Sequence, residues 1–246
     1  MDPIFPSEFD ISKISYGTPR TLDSGAKHIR VSYRRNNALI VQTPDMLAPF
    51  GINKWENPGA PAKHSLELSF KDVEDREELS DFKKMLASLD AKIVDDAFTG
   101  SLPTHSKKFA SRDVLEVLYQ PMIKLPKDDR FPPNFKVTLP VIRDEFNFPT
   151  YIVDSKGRPQ LGDLSAIDTK GAICTVIMQC NGVWVAGGSN FGCTWKVTQL
   201  RIKPTSSNTA YAFKHNGGLI RTSDEDEEDE EDAGSDGRDN QDTDRE

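Results

Sequence analysis

Hydrophobic and polar positions alternate at the start of this chain, change period in its middle, and alternate again towards its end. Ile29, Val31 and Tyr33 share one face and His28, Arg30 and Ser32 the other, which predicts a strand over 28–33. Ala38–Gln42 reads as the returning strand across a basic turn, Arg34-Arg35-Asn36-Asn37. Leu66, Leu68 and Phe70 alternate with Ser65, Glu67 and Ser69, the mark of a half-buried strand. The period then lengthens. Leu79, Phe82, Leu86, Leu89 and Ile93 recur at three- and four-residue steps, predicting an amphipathic helix over about 72–93. Asp72 is placed to cap it, and Glu74, Asp75, Glu77 and Glu78 suit the positive end of the helix dipole. A shorter helix over 111–119 is capped by Ser111 and stopped by Pro121. Strands over 136–142 and 151–153 follow.

The densest apolar stretch is 171–203, GAICTVIMQCNGVWVAGGSNFGCTWKVTQLRIK. It predicts strands over 172–180, 183–186 and 193–203, with a hairpin turn at Asn181-Gly182, where both residues tolerate positive φ. A glycine-rich loop, 187–192, leads into the last strand. Residues 43–62 hold Pro44, Pro49, Pro58 and Pro61 and read as a long loop carrying Lys54-Trp55. Strands joined by hairpins and interrupted by one helix predict a mainly β fold, an OB-fold. This is a Greek-key β-barrel, here with one long amphipathic helix between its third and fourth strands and a short second helix. The chain divides into an irregular arm (1–26), the decorated barrel (27–203), a linker (204–223) and an acidic tail (224–246). The tail has nothing apolar larger than Ala233 and is predicted to be disordered.

Charge is distributed unevenly. The whole chain carries 31 Lys and Arg against 39 Asp and Glu. Residues 224–246 hold 14 acids and 2 bases, leaving 29 bases and 25 acids in 1–223. A mildly basic body therefore carries a strongly acidic tail. Cys174, Cys180 and Cys193 lack zinc or disulfide spacing and read as core residues of a reducing, intracellular compartment. The opening MDPIFPSEF has neither a charged start nor a long apolar run, so no signal peptide is expected, and no segment is apolar enough to span a membrane as a helix. No phosphate-binding loop, dinucleotide fingerprint, zinc pattern or nucleophile elbow occurs. The expectation is a protein without cofactor, metal or catalytic residues, not an enzyme.

Aromatic residues recur beside bases. The set is Tyr33, Arg34 and Arg35; Lys54 and Trp55; Lys107 and Lys108; Lys136; Arg143, Phe148 and Tyr151; Trp184 and Phe191; Trp195 and Lys196; Arg201 and Lys203. Rings that stack on bases and cations that follow phosphates hold single-stranded nucleic acid in this way. Taken singly, strand tryptophans such as Trp184 and Trp195 more often fill a core than serve as platforms. Trp55 in a loop and Phe191 among glycines are harder to assign to a core.

A barrel with an inserted helix, the closing GCTWKVTQLRIK strand after a glycine loop and the acidic end together resemble single-stranded DNA-binding proteins of the phage T7 type, including relatives in large nucleo-cytoplasmic DNA viruses. That resemblance implies sequence-tolerant binding of single-stranded DNA in replication, recombination or repair. It also implies an acidic tail, here Asp224, Glu225, Asp226, Glu227, Glu228, Asp229, Glu230, Glu231 and Asp232, that competes for the DNA groove. The tail would recruit replication proteins such as a polymerase, helicase or primase, and homodimers are common in the family. Phage tails of this type end in an aromatic residue, whereas this sequence ends Asp244-Arg245-Glu246. The alternative reading is an acidic-tailed protein-interaction module, either histone chaperone-like or a virion structural protein.

Overall fold

The computed structural model describes residues 2–102, 104, 111–154, 156–186, 189–204, 214–215 and 218–219. The chain separates into two units, Met1–Thr205 and Ser206–Glu246. In the second, Lys214–His215 pairs antiparallel with Gly218–Leu219.

Five strands of the first unit form a ring. They are β1 (Met46–Ala48), β2 (Ala60–Ser69), β3 (Asn134–Leu139), β4 (Ala172–Ala186) and β5 (Asn190–Lys203). β1 pairs with β2 at Leu47 and Ser69, and β2 lies antiparallel to β3 from Ser69–Asn134 to His64–Leu139. β3 runs parallel to β5 at Thr138 and Lys196, β5 is antiparallel to β4 along its length, and β4 returns to β1 through Ala172–Ala48 and Cys174–Met46. The closed Greek-key ring leaves no free edge among these five, which is the OB architecture.

The long helix α1 (Glu77–Thr99) enters between the second and third ring strands, rather than between the third and fourth as the sequence reading had it. The early strands at 27–33 and 38–42 do not count towards the ring. Lys27–Ile29 and Ile40–Gln42 pair with β4 from outside it, and Val31–Tyr33 joins a separate three-stranded sheet with Ile14–Tyr16 and Asn37–Ala38. α1 begins five residues later than the acid run suggests. Asp72 sits at φ 60° in a turn, and Arg76 is the residue that precedes the first helical turn. The helix buries Leu79, Phe82, Leu86, Leu89 and Ile93 on one stripe, as its periodicity requires, and ends at Gly100 with φ 84°. Phe82 joins helix to barrel, its ring 5.8 Å from Phe70 and edge-on to Phe135 at 5.5 Å. The second helix, α2 (Arg112–Leu118), buries Leu115.

Two loop and turn predictions are corrected. Residues 43–62 contain β1 and the strand Ile52–Asn57, which forms a hairpin with β2. Asn181-Gly182 is not a turn, because β4 is continuous through it and the β4–β5 turn lies beyond Ala186. Gly182, at φ 121°, marks a register shift between Cys180 and Gly182. A Cβ at Gly182 would stand 2.3 Å from the Ile29 carbonyl oxygen, so the position serves close approach of Lys27–Ile29 to β4.

Candidate nucleic-acid interface

The outward side of β4 and β5 beyond the bulge carries Trp184, Asn190, Thr194 and Lys196, because side chains on a strand alternate between its two faces. β3 adds Lys136 and Thr138 from the neighbouring strand. Gln120 and Lys124 come from the short strands Tyr119–Gln120 and Ile123–Lys124, which pair with β5 and β3 respectively. All of these but Lys196 border a cavity of about 540 Å³ whose lining, among the described residues, has two lysines, Lys124 and Lys136, one tryptophan and no acidic residue. Glu67 stands opposite Lys136 across the β2–β3 pair, yet among the described residues none of Lys124, Lys136 and Lys196 is in an ion pair.

Trp184 is held by a neighbour with no side chain. A Cβ on Gly192, its antiparallel partner, would lie 3.0 Å from the indole Cζ2 and 3.1 Å from the Gln120 carbonyl oxygen. Glycine here lets the ring settle flat over β5 while Tyr119–Gln120 still pairs with that strand. The ring remains half-buried and borders the cavity.

The wall beneath is anchored by Asp90 of α1. Its carboxylate accepts from the Tyr119 hydroxyl at 2.5 Å and from the Met122 N–H at 3.2 Å. Burial pushes the Asp90 pKa up to about 6 against the pull of those two hydrogen bonds, and burial together with the Asp90 charge raises Tyr119 well above its usual range. Tyr119 in turn meets Phe191 edge-on at 5.1 Å.

The chain is similar in structure to two phage proteins. One is gp2.5, a single-stranded DNA-binding protein encoded by bacteriophage T7, with 14% identity over 74% of this chain and 99% of that one, at a TM-score of 0.37. The other is the single-stranded DNA-binding protein of bacteriophage Enc34, solved with single-stranded DNA, with 9% identity over 79% of this chain and 97% of that one, at a TM-score of 0.39. The sequence matches no protein-family model and no curated protein.

The residues expected at the site fall into separate groups. Trp184 and Lys136 border the cavity just described, and Lys196 lines a neighbouring one. Three rings are corrected to core residues. Trp195 is 1% exposed and directs its Nε1 at the Met122 sulfur, Phe191 is 0% exposed, and Tyr33 is 2% exposed, stacked on Phe9 at 5.7 Å. Each points into the barrel or under the N-terminal turns because it occupies an inward position of its strand, so none offers a face to a base. Arg34, 5.0 Å over the Tyr33 ring, and Arg35 form an exposed left-handed turn away from the cavity lining.

Arg201 and Lys203 are also corrected. Both donate to Asp45, at 2.9 and 2.8 Å, and Arg201 and Asp45 both bond the Thr175 hydroxyl. Partial burial works to raise the Asp45 pKa, but the bonds from Lys203, Thr175 and Arg201 outweigh it and hold the carboxyl at about 2. These two cations are already matched by an internal anion. Tyr151 lies beside them, in register with Arg201.

Lys54 and Trp55 sit on the Ile52–Asn57 strand, Lys54 bonded to Glu56 at 2.5 Å and Trp55 55% exposed with Lys63 at 5.8 Å from its ring centroid. Arg143 is in the turn between Val141–Ile142 and Glu145–Phe146, and Phe148 leans on Phe146, ring centroids 5.8 Å apart. Lys107, Lys108 and the acidic tail lie outside the described residues.

The sequence reading missed Lys124, hidden in a proline-rich connector, and Arg20, hidden in an arm taken as irregular. The strand pairing Arg20 with His28 and Thr21 with Lys27 is what brings Arg20 to the barrel. No sequence signal pointed to it, because Arg20–Thr21 is two residues long and lies among Gly17, Pro19 and Gly25.

Proposed function

We propose that this chain binds single-stranded DNA with little regard to sequence. The observation that carries the reading is the cavity between β3, β4 and β5, where a seated indole meets two lysines, Lys124 and Lys136, with no acidic residue in the lining among the described residues. Trp184 would stack on a base while Lys124, Lys136 and Lys196 follow the phosphates. Stacking contributes roughly 1–3 kcal/mol per base and tolerates any base. Released counterions supply the rest, so affinity falls steeply with salt. In this reading the acidic tail, 224–246, is a tethered polyanion that competes for the same cations and is set free to meet replication proteins when DNA arrives. Roles in replication, recombination or repair, a homodimer and an intracellular, reducing location belong to the same proposal.

The test is affinity for oligo(dT) against duplex DNA over a salt series, with the full chain and with 224–246 deleted. Preference for oligo(dT), a strong negative salt dependence and tighter binding at low salt after deletion support the reading. Equal affinity for duplex, or none for either, overturns DNA binding. Unchanged affinity after deletion overturns tail competition alone. Binding to histones through the tail with no oligo(dT) affinity would establish the protein-interaction reading instead.

A further inference from the structure

We propose that the N-terminal segment builds a second phosphate-binding cavity that continues the first, so that one strand of DNA crosses both. This rests on the single-stranded DNA reading and adds to it a second subsite for the sugar-phosphate backbone. The cavity, of about 500 Å³, lies between Gly17–Arg20, the Lys27–Ile29 strand and the outer face of β4 and β5. Arg20, His28, Arg30 and Lys196 line it, and among the described residues no acidic residue does. Arg20 and Lys196 form no ion pair among the described residues, and Arg30 spends one N–H on the Asn36 carbonyl at 2.8 Å, leaving the rest of its guanidinium fork.

The two cavities are lined by different residues that neighbour one another. Trp184 lines the first, and His28, its partner across the β4 pairing, lines the second. Thr194 lines the first and Lys196 the second, two residues along the same face of β5, about 7 Å apart at the rise of a strand. Cys193 lines the first and Cys180 the second, and their buried sulfurs are 3.5 Å apart. An extended polynucleotide leaving Trp184 along β5 therefore meets Lys196, then Arg20 and Arg30. The arrangement depends on Gly182, because any side chain there would push Lys27–Ile29, and Arg20 with it, off the barrel.

Salt dependence of binding reads this directly, because each phosphate neutralised on a single strand contributes about 0.7 to the slope of log K against log salt. The full chain, Arg20→Ala, Arg20→Ala/Arg30→Ala, Arg20→Lys/Arg30→Lys and, as a control away from both cavities, Lys84→Ala are titrated with oligo(dT) of about 4 and about 16 nucleotides, the range one OB fold engages. With the long strand the double alanine variant should lose about 1.4 from the slope and on the order of 10-fold in affinity at 0.1 M salt. The Lys pair and Lys84→Ala should keep the wild-type slope, and Trp184 quenching at saturation should not change. With the short strand all variants should match. A wild-type slope in the double alanine variant, with its thermal unfolding unaltered, overturns the second cavity and leaves the DNA-binding reading standing. A double variant that unfolds early is replaced by Arg20→Ala alone, whose expected loss is half as large. A full chain without salt-sensitive affinity for either strand overturns the underlying reading itself.

Discussion

β5 carries outward cations in two places, an open end around Lys196 at mid-strand and a closed end at Lys203, and the two are chemically unlike. Near Lys196 the positive charge of Lys124 and Lys136 faces one cavity and that of Lys196, Arg20 and Arg30 the other, with no carboxylate in either lining among the described residues. Seven residues on, Lys203 and its neighbour Arg201 close on Asp45. A stripe of bases along a strand thus says little about the potential above it, because the deciding residue arrives from another part of the chain, 156 positions before Arg201 in this case. Each end also has its own carboxylate with an opposite shift. At half-buried Asp90 under the open end desolvation outweighs the hydrogen bonds and raises the pKa to about 6, whereas at Asp45 the bonds from two cations and a hydroxyl win and hold it at about 2.

The largest effect that could break this contrast concerns the two tryptophans of the open end. Trp195→Ala should cost about 3–5 kcal/mol in urea unfolding, as for other buried aromatic truncations. Trp184→Ala should leave unfolding nearly unchanged and lower oligo(dT) affinity by about 1–3 kcal/mol. Reversal of these two outcomes would mean the inward and outward sides of the ribbon are assigned backwards.

The next effect is in the pH dependence of stability. A carboxyl whose folded pKa is raised binds its proton more tightly when folded, so its contribution is full below about pH 4 and is lost as pH rises through about 6. Asp45 works the other way: its contribution is present above about pH 4 and is lost as pH falls through about 2. Thermal unfolding should therefore show Asp90→Asn flattening the profile between pH 4 and 6, and Asp45→Asn flattening it below pH 4. If Asp90→Asn leaves the upper arm intact, the Tyr119–Asp90 contact does not govern the open end.

The smallest effect sharpens the contrast from the closed end. Asp45→Asn releases Arg201 and Lys203, and a few-fold gain in oligo(dT) affinity at low salt is expected, with a steeper salt slope. The gain should vanish near 1 M salt, where the screening length is about 3 Å. No gain at low salt would place the closed end off the path of the strand.

Much of the architecture was legible in the chain because burial on one face imposes a period. The stripe of α1, the alternation in β2 and the inward residues of β5 are all set by that rule. The ring order was not legible, since β1 is three residues long and sits among prolines, and its partners lie about 20 and 125 residues away. Asn181-Gly182 misled for a related reason. A glycine with positive φ suits a tight turn and a bulge equally, and only the strand that packs on it, Lys27–Ile29, selects the bulge. At the site, the position of Lys136 and Lys196 on an outward face followed from alternation. Whether Trp184 looked out or in depended on the register change at Gly182, which inverts the parity of the rest of β4, 183–186.

The lateness of β4 has a consequence for how the molecule is made. Lys27–Ile29 and Ile40–Gln42 lean on a strand that begins at Ala172, so roughly 130 residues must be synthesised between the last of them and its support. At about 5–20 residues per second this is a wait of some 7–26 s on the ribosome, with apolar strands unpaired. Such distant pairing also makes for slow closure once the chain is released. The polar, proline-broken stretches that flank those strands at 17–26 and 43–45 act over that interval as guards against sticking to other nascent chains.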